Sequence, residues 1–506
     1  MNPSQRRSHG RTSLCAQKIS AAVVIACMAG TSFISNVASA TTPSRNSHLA
    51  RITALTLVGH GWGAGSGMGQ WGAFGYAVRY HFGYERILGH YYGGTSSGSL
   101  SATPAGLNPT VTVVINENTN LVTNFGYDPI VTAATTLAVT SQGGVPTVPT
   151  TSTTTTSTTS TTTSTSTTSP ISPTTTRVVT PTSFVVPAST AIDLHLEPNG
   201  TWNAYEGPSC GSVSTASTPV ATGLVNPIIA SPVSATAPLG SLEVLCRHDG
   251  VDESLRGGIE AYDRQGYERT LNVVPLESYL RGVVPSEVSA SWGTVGTTTT
   301  ASGGEPWGYQ ALLAQAVASR SYAMGYASSG GWNGYANICD TTSCQVYSGA
   351  NYESPMSDLA VAQTAGEIRV LATNPSVAVQ TTFSASTGGY SAPSTFPATR
   401  DRGDACIDPT VPAECNPSHT WQVTLTGAEL RRHFGSIGAL ISMHVVTRNH
   451  LGALGGRALT VLLHGKKGRL VISGDAFAAA LGLQSNWFAI AGLRRSGQPV
   501  VSAIPA

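Results

Sequence analysis

The chain has 506 residues, enough for two or three domains with buried cores. Lysine and arginine total 27 and aspartate and glutamate 26, so the net charge is +1 and only 10% of the residues are charged. This balance leaves no basic surface of the size that nucleic-acid binding requires, and we expect no nucleic-acid partner.

The first 40 residues have the pattern of an export signal. Basic residues at 6, 7, 11 and 18 precede an apolar stretch at 21–34, and residues 38–40 form an A-x-A cleavage site. We predict a signal peptide at 1–40 and a secreted, extracytoplasmic protein. Lipoprotein processing at Cys27 is the alternative, because residues 24–27 resemble a lipobox. No later stretch reaches the ~18 apolar residues of a membrane span, so we expect none in the mature chain.

Residues 57–95 are rich in glycine, which lets a backbone approach a ligand or another strand closely. A phosphate loop is not favoured, because no βαβ pattern surrounds the glycines and no Lys-Ser/Thr pair follows them. Behind the glycines, the spacing of Trp71, Phe74, Val78 and Phe82 predicts a helix, and residues 84–92 predict a second short one.

Two β-rich regions flank a long polar segment. Alternating runs at 108–139 and short runs with turn signals at 178–270 predict strands. Between them, every residue from Thr150 to Ser169 is serine or threonine. No packed core can form from that composition, so we predict a linker at 141–177.

The stretch 271–327 carries the strongest helical pattern. Pro275 suits a first helical position, and Pro285 predicts an end or a kink. Glu287 follows this break yet continues the apolar face, so its carboxyl should be partly buried. Burial raises a carboxyl pKa, as a general acid near neutral pH requires. The apolar face consists of Leu276, Tyr279, Leu280, Val283 and Val284.

A second helix follows, with an apolar stripe from Leu312 to Ala327. Arg320 lies on this stripe, and a half-buried guanidinium needs a carboxylate or carbonyls as partners. Glu277 and Glu287 are the nearest candidates in sequence. On these residues alone a structural Glu–Arg bridge is favoured, and a catalytic glutamate is the alternative. An adjacent face predicts a hydrogen-bonding wall of Gln315, Ser319, Tyr322 and Tyr326.

Two later segments, CQVYSG at 344–349 and FSASTGG at 383–389, place small or polar side chains beside glycines. Small hydroxyl groups next to paired glycines suit a sugar-binding loop, because they supply donors without bulk. An ordinary tight turn is the alternative.

The helical stretch closely resembles the signature of the SpoIID/LytB family, the sporulation stage II protein D group. VPLESYLRGVVPSEVSASW and ALLAQAVASRSYA resemble the family's VPLEEYLxGVVPxEMPxSW and ALxAQAVAARTYA. The segments 344–349 and 383–389 resemble its SQVYxG and YxSxSGGxT. The resemblance covers most of 240–490 plus 57–95, and implies an α+β fold of short helices packed on β-rich subdomains.

The glycine-rich block resembles the family motif GHGVGMSQWGA, which lies at the C-terminus in the sporulation proteins. Here it comes first, so we predict a circularly permuted architecture, which is tolerated when termini lie close together. Ala64 replaces the motif's histidine, and His60 lies four residues earlier. We expect a structural His60, with a functional one as the alternative. The block is expected to pack beside Glu287, with Gln70 lining the cleft.

These observations predict six regions along the chain. They are a signal peptide at 1–40, the glycine-rich block with a β segment at 41–140, the linker at 141–177, a β-rich subdomain at 178–270, a SpoIID-like catalytic region at 271–490 and a tail at 491–506.

Six cysteines remain once the signal is removed, and an even number in an exported chain suggests disulfides. Of the 15 possible connectivities, local pairing is the simplest: Cys210–Cys246, Cys339–Cys344 and Cys406–Cys415. Some SpoIID relatives bind zinc through His and Cys, so a metal site is the alternative. Cys339 and Cys344 lack a clear nearby histidine, so we predict a structural disulfide and no metal.

The resemblance implies an exported peptidoglycan lytic transglycosylase. Such an enzyme cleaves MurNAc–GlcNAc bonds, preferentially in peptide-stripped strands, and leaves 1,6-anhydro-MurNAc ends. The family's catalytic glutamate matches Glu287, Glu277 is assigned as the structural partner of Arg320, and no cofactor is required. The residues assigned to substrate binding are Gln70, Arg320, Gln345, Tyr347, Ser384, Ser386, Thr387, Gly388 and Gly389.

Two other functions stay open. The first is a non-catalytic wall-binding protein that stimulates an N-acetylmuramoyl-L-alanine amidase, which would make a wall amidase a second partner beside the glycan strands. The second is an adhesion or scaffold protein on a Ser/Thr stalk. Residues 293–306, an insertion that the family pattern lacks, are predicted to form either a lid over the cleft or a surface loop.

Overall fold

The structure is a computed structural model that describes residues 50–115, 129–142, 145–146, 182–232, 242–246, 252–298, 304–406, 415–497 and 501–502. The predicted signal peptide and the Ser/Thr run at 150–169 lie outside the described residues.

Seven α-helices lie within these residues: α1 (Gln70–Tyr80), α2 (Tyr84–Tyr91), α3 (Leu276–Glu287), α4 (Tyr309–Ser328), α5 (Pro355–Gln363), α6 (Gly427–His433) and α7 (Gly474–Leu481). The first four are the helices that the sequence predicts. α3 continues two residues beyond Pro285, because the proline removes only its own backbone donor, and the Val288 N–H still reaches the Val284 carbonyl at 3.0 Å.

The strands are short and numerous, and together with the helices they confirm the predicted α+β class. In chain order they are β1 (Ile52–His60), β2 (Met68–Gly69), β3 (Thr95–Ser99), β4 (Thr110–Val114), β5 (Ile130–Ala133), β6 (Leu137–Ser141), β7 (Val145–Pro146), β8 (Thr182–Val186), β9 (Ala191–Leu196), β10 (Trp202–Gly207), β11 (Ala221–Leu224), β12 (Ile228–Pro232), β13 (Glu243–Leu245), β14 (Glu253–Leu255), β15 (Gly258–Arg264), β16 (Tyr267–Pro275), β17 (Ile338–Cys339), β18 (Glu367–Leu371), β19 (Asn374–Ala378), β20 (Phe383–Ser384), β21 (Thr420–Thr426), β22 (Leu440–Arg448), β23 (Ala458–Gly465), β24 (Gly468–Ser473), β25 (Phe488–Arg495) and β26 (Val501–Ser502).

Two seven-stranded sheets dominate the middle of the chain, in the orders β14-β13-β5-β9-β10-β11-β7 and β17-β4-β16-β15-β12-β6-β8. β6 pairs directly with β8, with Val139 opposite Phe184, although the predicted linker lies between them in sequence. Strands from both sides of the linker therefore share sheets, and the boundaries drawn at 140 and 178 do not separate two β units. The second sheet leads directly into α3, because β16 ends at Pro275 and α3 begins at Leu276.

The first strand lies among the last ones. β1 pairs antiparallel with both β21 and β25, so that Leu57 faces Val423 on one side and Ile490 on the other. The described residues form two apolar cores, and Leu57 is buried with Phe477 and Phe488 in the smaller one. The glycine-rich block follows β1 directly and is thereby carried to the region that the C-terminal strands occupy.

α4 is the central helix, and α1, α2, α3 and α5 all pack against it. Its sequence predicts one apolar stripe, but 15 of its 20 residues are buried. A helix buried on nearly every side needs small residues at the contacts, and α4 supplies alanines and serines there. Its burial explains why Arg320, at 0% exposure, must find its partners inside the protein.

Arg320 forms a two-pronged ion pair with Glu277 on α3, as the sequence predicts. Nε and Nη2 of the arginine donate to the two carboxylate oxygens at 2.8 and 2.6 Å. The guanidinium also donates to the carbonyls of Val361 and Glu367, both at 3.2 Å. The pair therefore ties α3, α4 and the segment behind α5 together.

All three predicted disulfides are present: Cys210–Cys246, Cys339–Cys344 and Cys406–Cys415. Within the described ranges no helix combines the length and apolar character needed to cross a bilayer. The same ranges contain no group of three or more His, Cys, Asp or Glu side chains that could hold a metal ion.

Glu277→Gln is expected to lower the free energy of unfolding by about 3 kcal/mol, because it leaves the Arg320 charge buried and unpaired. We take the low end of the usual range because the Glu277 side chain is 22% exposed. Urea denaturation measures the change. As the control, replacing the pair together (Glu277→Leu with Arg320→Met) should recover most of the loss. An unchanged unfolding free energy in Glu277→Gln would contradict the structural role.

Candidate active site

Glu287 is the last residue of α3, and its carboxyl is held at both oxygens. The backbone N–H of Val346 donates to Oε1 at 2.6 Å, and Nε2 of Gln70 donates to Oε2 at 3.0 Å. The three residues come from sequence positions more than 200 residues apart at the extremes. The site therefore exists only when the N-terminal block, α3 and the segment after β17 are assembled together.

The surroundings of Glu287 favour its protonated form. Burial raises the pKa of Glu287, while the hydrogen bonds from Val346 and Gln70 oppose that rise without cancelling it. Neither its hydrogen bonds nor its electrostatic neighbours in the described residues include an arginine, a lysine or a second carboxylate. Glu287 is thus a single carboxyl that holds a proton at higher pH than an ordinary glutamate.

The Val346 donor is fixed by the loop that precedes it. The Cys339–Cys344 disulfide closes this loop, and the Tyr347 N–H donates to the Asp340 carbonyl at 3.0 Å. Gly282 on α3 allows the close approach, because a Cβ there would lie against the Gly349 carbonyl and the Tyr347 ring. α3 and the loop are therefore in direct contact one turn before Glu287.

Gln70 is fixed by the first turn of α1. β2 pairs in parallel with β20, so that Gly69 lies opposite Ser384, and the Trp71 N–H donates to the Ala385 carbonyl at 3.1 Å. These bonds hold the glycine-rich block against residues 383–389 on one side and Glu287 on the other. The expectation that the permuted block packs beside Glu287 agrees with this placement of Gln70.

Two tyrosines lie close behind the carboxyl. Burial, and secondly the proximity of Glu287, raises the pKa of Tyr279 well above its usual value. Burial likewise raises the pKa of Tyr322 on α4, with a smaller contribution from Glu287. Tyr322 and Tyr326 stack at 5.9 Å between ring centroids, and Phe383 lies 5.9 Å from Tyr322. Part of the wall predicted along α4 is thus present beside Glu287, and it is largely aromatic.

Three residues assigned to substrate binding face the interior and need correction. Arg320 is fully buried in its ion pair with Glu277. Gln345, at 0% exposure, accepts from the Tyr279 hydroxyl at 3.1 Å and donates to the Ser319 carbonyl at 3.2 Å. Tyr347 is also buried. Because their polar atoms are used internally, these side chains support the site and do not reach the cleft.

The hydroxyl groups of the 383–389 segment also point inward. Ser386 Oγ donates to both carboxylate oxygens of Asp404 at 2.9 Å, and Thr387 Oγ1 donates to Asp401 Oδ2 at 2.7 Å. Ser384 Oγ accepts from the Gly65 N–H at 2.9 Å. The small hydroxyls predicted to contact sugar instead form hydrogen bonds that fix the loop.

The segment ends in two glycines, of which Gly388 is buried and Gly389 half-buried. Both have positive φ, 76° and 102°, which explains the glycines at these positions. Gly388 packs against His60, where a Cβ would touch the histidine side chain. His60 Nδ1 hydrogen-bonds to the His419 carbonyl at 3.1 Å, so His60 lies at this loop.

The described part of the 293–306 insertion packs away from Glu287. Gly296 lies against Val78, and Trp307 stacks on His81 at 4.8 Å, both near the C-terminal end of α1. That end is about 12 Å from Gln70 along the helix. Residues 299–303 of the insertion lie outside the described residues, so the choice between a lid and a surface loop stays a prediction.

Sequence reasoning missed two parts of the site. The Val346 donor is a backbone N–H, which no residue pattern reveals. Asp404 and His419 were not considered, although they lie on either side of the predicted Cys406–Cys415 disulfide. That disulfide could have signalled a constrained loop carrying polar residues.

The raised pKa of Glu287 predicts a pH-dependent cost to stability. A carboxyl whose pKa is higher in the folded than in the unfolded state has no effect on stability below the unfolded pKa of about 4.3. Above that pH the unfolded chain loses the proton more readily than the folded protein, so the free energy of unfolding falls as the pH rises. Glu287→Gln stays neutral, so its stability relative to wild type should rise as the pH increases from about 4 to 8. Thermal unfolding of both proteins across this range measures the difference. A difference that stays constant with pH would contradict the assignment.

Gly282→Ala tests the contact that positions Val346. The added methyl group should push residues 346–349 away from α3 and cost about 1–3 kcal/mol of stability. It should also move the Glu287 pKa, because the Val346 hydrogen bond lengthens. Gly89→Ala on α2 is the matched control, since a Cβ there meets nothing within 4 Å and should be neutral or stabilising. Equal stability of the two variants would contradict the proposed packing.

Comparison with known proteins identifies one family. Residues 264–370 match the family model for SpoIID, described as stage II sporulation protein. The match includes α3, Glu287, α4 and Val346, and excludes Gln70 and the 383–389 segment, so it is narrower than the resemblance read from the motifs. No curated protein and no solved structure matches the chain. Residues 264–370 are therefore similar to the SpoIID family, and this similarity suggests a role related to sporulation or the cell wall.

Proposed function

We propose that this protein is an exported peptidoglycan lytic transglycosylase in which Glu287 is the catalytic acid and base. The observation that carries the proposal is the solitary, partly buried carboxyl of Glu287, whose pKa is raised. Ordinary glycosidases place two carboxyl groups about 5–9.5 Å apart, one of them to act as nucleophile or to activate water. A single carboxyl suits a reaction in which the sugar supplies its own nucleophile.

The hydrogen bonds suggest which oxygen carries the proton. The Val346 N–H is a donor only, so Oε1 must remain an acceptor. The proton therefore belongs on Oε2, beside Gln70. A side-chain amide can present either its oxygen or its nitrogen, so Gln70 can accommodate both the acid and the carboxylate of Glu287.

The proposed reaction needs no water. Oε2–H protonates the glycosidic oxygen between MurNAc and GlcNAc, and the C1–O bond of MurNAc breaks. The resulting carboxylate takes the proton from the MurNAc C6 hydroxyl, and O6 attacks C1 to close the 1,6-anhydro ring. Glu287 ends the cycle protonated, ready for the next bond.

Several features support action outside the cytoplasm. Three disulfides are typical of oxidising compartments, and the SpoIID match relates the chain to sporulation or the cell wall. Glycan strands of the wall, preferentially those stripped of peptides, are the proposed substrate.

The test is mass spectrometry of glycan strands, with and without peptides, after incubation with the purified protein. Wild type should release 1,6-anhydro-MurNAc ends, and Glu287→Gln should lower the rate at least about 100-fold, the usual contribution of a general acid. Glu305→Gln, which replaces a glutamate in the 293–306 insertion, is the matched control and should retain full activity. Circular dichroism confirms equal folding.

Absence of anhydro ends with wild type, on both substrates, would contradict the proposal. It would favour the wall-binding modifier of an amidase. That protein would bind the same strands and raise the rate of an added N-acetylmuramoyl-L-alanine amidase whether or not Glu287 can be protonated.

A further inference from the structure

A second polar group lies at the far end of the 384–389 segment from Gln70. Asp404 is fully buried, and its Oδ2 hydrogen-bonds to Nδ1 of His419 at 2.8 Å. The same carboxylate accepts from Ser386 Oγ at 2.9 Å and from the Thr387 N–H at 3.0 Å. These bonds fix the carboxylate, and it in turn fixes the tautomer and orientation of the His419 ring.

The outer edge of His419 is available. With Nδ1–H directed at Asp404, Nε2 lies at the opposite edge of a side chain that is 31% exposed. No other side chain or backbone group in the described ranges hydrogen-bonds to Nε2. With Nδ1–H bonded to Asp404, Nε2 accepts a hydrogen bond when the ring is neutral and donates one to a ligand when the ring is protonated.

The pKa values of His419 and its neighbour His60 are shifted in opposite directions. The hydrogen bond that His419 donates to Asp404 raises the pKa of His419, with Asp401 adding a smaller effect and burial opposing both. Burial, followed by the charge of His419, lowers the pKa of His60. His60 donates from Nδ1 to the His419 carbonyl and so leaves Nε2 as an acceptor. The two ring centroids are 5.9 Å apart, so a protonated His419 would offer a donor beside the acceptor of His60.

The surface around the two histidines is open and partly apolar. Gly389 has no side chain to cover His419, since a Cβ there would lie 3.4 Å from Cε1 of the ring. Trp62 is bound to Ser386 through two backbone hydrogen bonds of 2.9 and 3.2 Å, yet its side chain is 48% exposed. A rigidly held, exposed indole provides a flat apolar face of the kind that a sugar ring can cover.

The exposed arginines of the neighbouring segment lie beside α1. The Tyr76 hydroxyl donates to the Arg400 carbonyl at 3.1 Å and accepts from the Arg402 N–H at 3.0 Å. Asp401 and Asp404 are buried, at 2% and 0% exposure. Recognition of an anion on this surface therefore depends on His419 itself.

The segment also links this surface to Glu287. The Ala385 carbonyl accepts from the Trp71 N–H, next to Gln70, and Gly389 lies four residues further on. Four residues span at most about 14 Å. One oligosaccharide can therefore reach both Glu287 and His419.

We propose that His419, oriented by Asp404 and flanked by His60 and Trp62, is a carboxylate-binding subsite for the glycan, an inference that rests on the glycan-cleaving function proposed above. Two sources supply a carboxylate in wall glycan: the lactyl group of a MurNAc without its peptide, and the stem peptide itself. Both would meet the same donor.

Binding measurements separate these sources. All binding measurements use protein that carries Glu287→Gln, which prevents cleavage. The probes are three forms of one MurNAc–GlcNAc tetrasaccharide. The first has free lactyl carboxylates, the second has them converted to amides, and the third carries stem peptides. Isothermal titration calorimetry below the ordinary histidine pKa of about 6.5 gives each dissociation constant.

We expect at least one carboxylate probe to bind about tenfold more tightly than the amide. Adding His419→Gln should abolish that preference, whereas His444→Gln, an exposed histidine on β22, should preserve it. A preference for the free acid identifies the lactyl group, and one for the third probe alone identifies the stem peptide. Equal binding of all three probes, or a preference that survives His419→Gln, would overturn the proposal.

Trp62→Ala provides a variant that leaves the His419–Asp404 pair intact. It should lower the affinity for all three probes by a similar factor and keep the preference for carboxylate. An unchanged affinity would show that Trp62 is not part of the subsite. Failure of the proposed function has a different signature. Wild type would then release no anhydro ends, while the His419-dependent preference could still be measured.

Discussion

The proposed chemistry depends on a fold that keeps one carboxyl partly out of water without giving it a cation. Glu287 receives one hydrogen bond from a backbone N–H and one from an amide, and neither neutralises it. An arginine partner would lower its pKa, as a carboxylate beside a cation ionises more readily. Arg320, the buried arginine of α4, pairs with Glu277 on the same helix as Glu287. The separation of these two glutamates into an ion-paired one and an unpaired one is the central electrostatic feature of the site.

The same assembly explains how a glycine-rich block near the start of the chain reaches Glu287. The strand β1 lies between β21 and β25, and the glycine-rich block that follows it carries Gln70 to Glu287. Residues 384–389 then serve both ends of the site: Ala385 holds the first turn of α1, while Ser386 and Thr387 bind Asp404 and Asp401. Since these hydroxyl groups form internal hydrogen bonds, we propose that aromatic rings and the His419 edge recognise the ligand.

Much of this could be predicted from the sequence, and the limits have physical causes. Helical periodicity located α1 to α4, because that signal is local. The burial expected for Arg320 indicated a carboxylate partner, Glu277 or Glu287, and the family resemblance favoured Glu277, which is the partner in the structure. The direction of the Ser386 and Thr387 hydroxyls could not be inferred, since it depends on aspartates 14 to 18 residues away. The sharing of sheets across the Ser/Thr linker was likewise hidden, because strand pairing is non-local.

The most direct measurement is the ionisation of Glu287 itself, followed by carbon-13 NMR of glutamate-labelled protein, with Glu287→Gln to assign the signal. The account predicts a midpoint above the ordinary glutamate value of about 4.3. It also predicts a further rise in Gln70→Ala, because the hydrogen bond from the Gln70 side chain lowers the pKa of Glu287. A midpoint at or below about 4.3 would contradict it. Glu287 would then be an ordinary carboxylate at neutral pH, unable to donate the proton on which the proposed reaction depends.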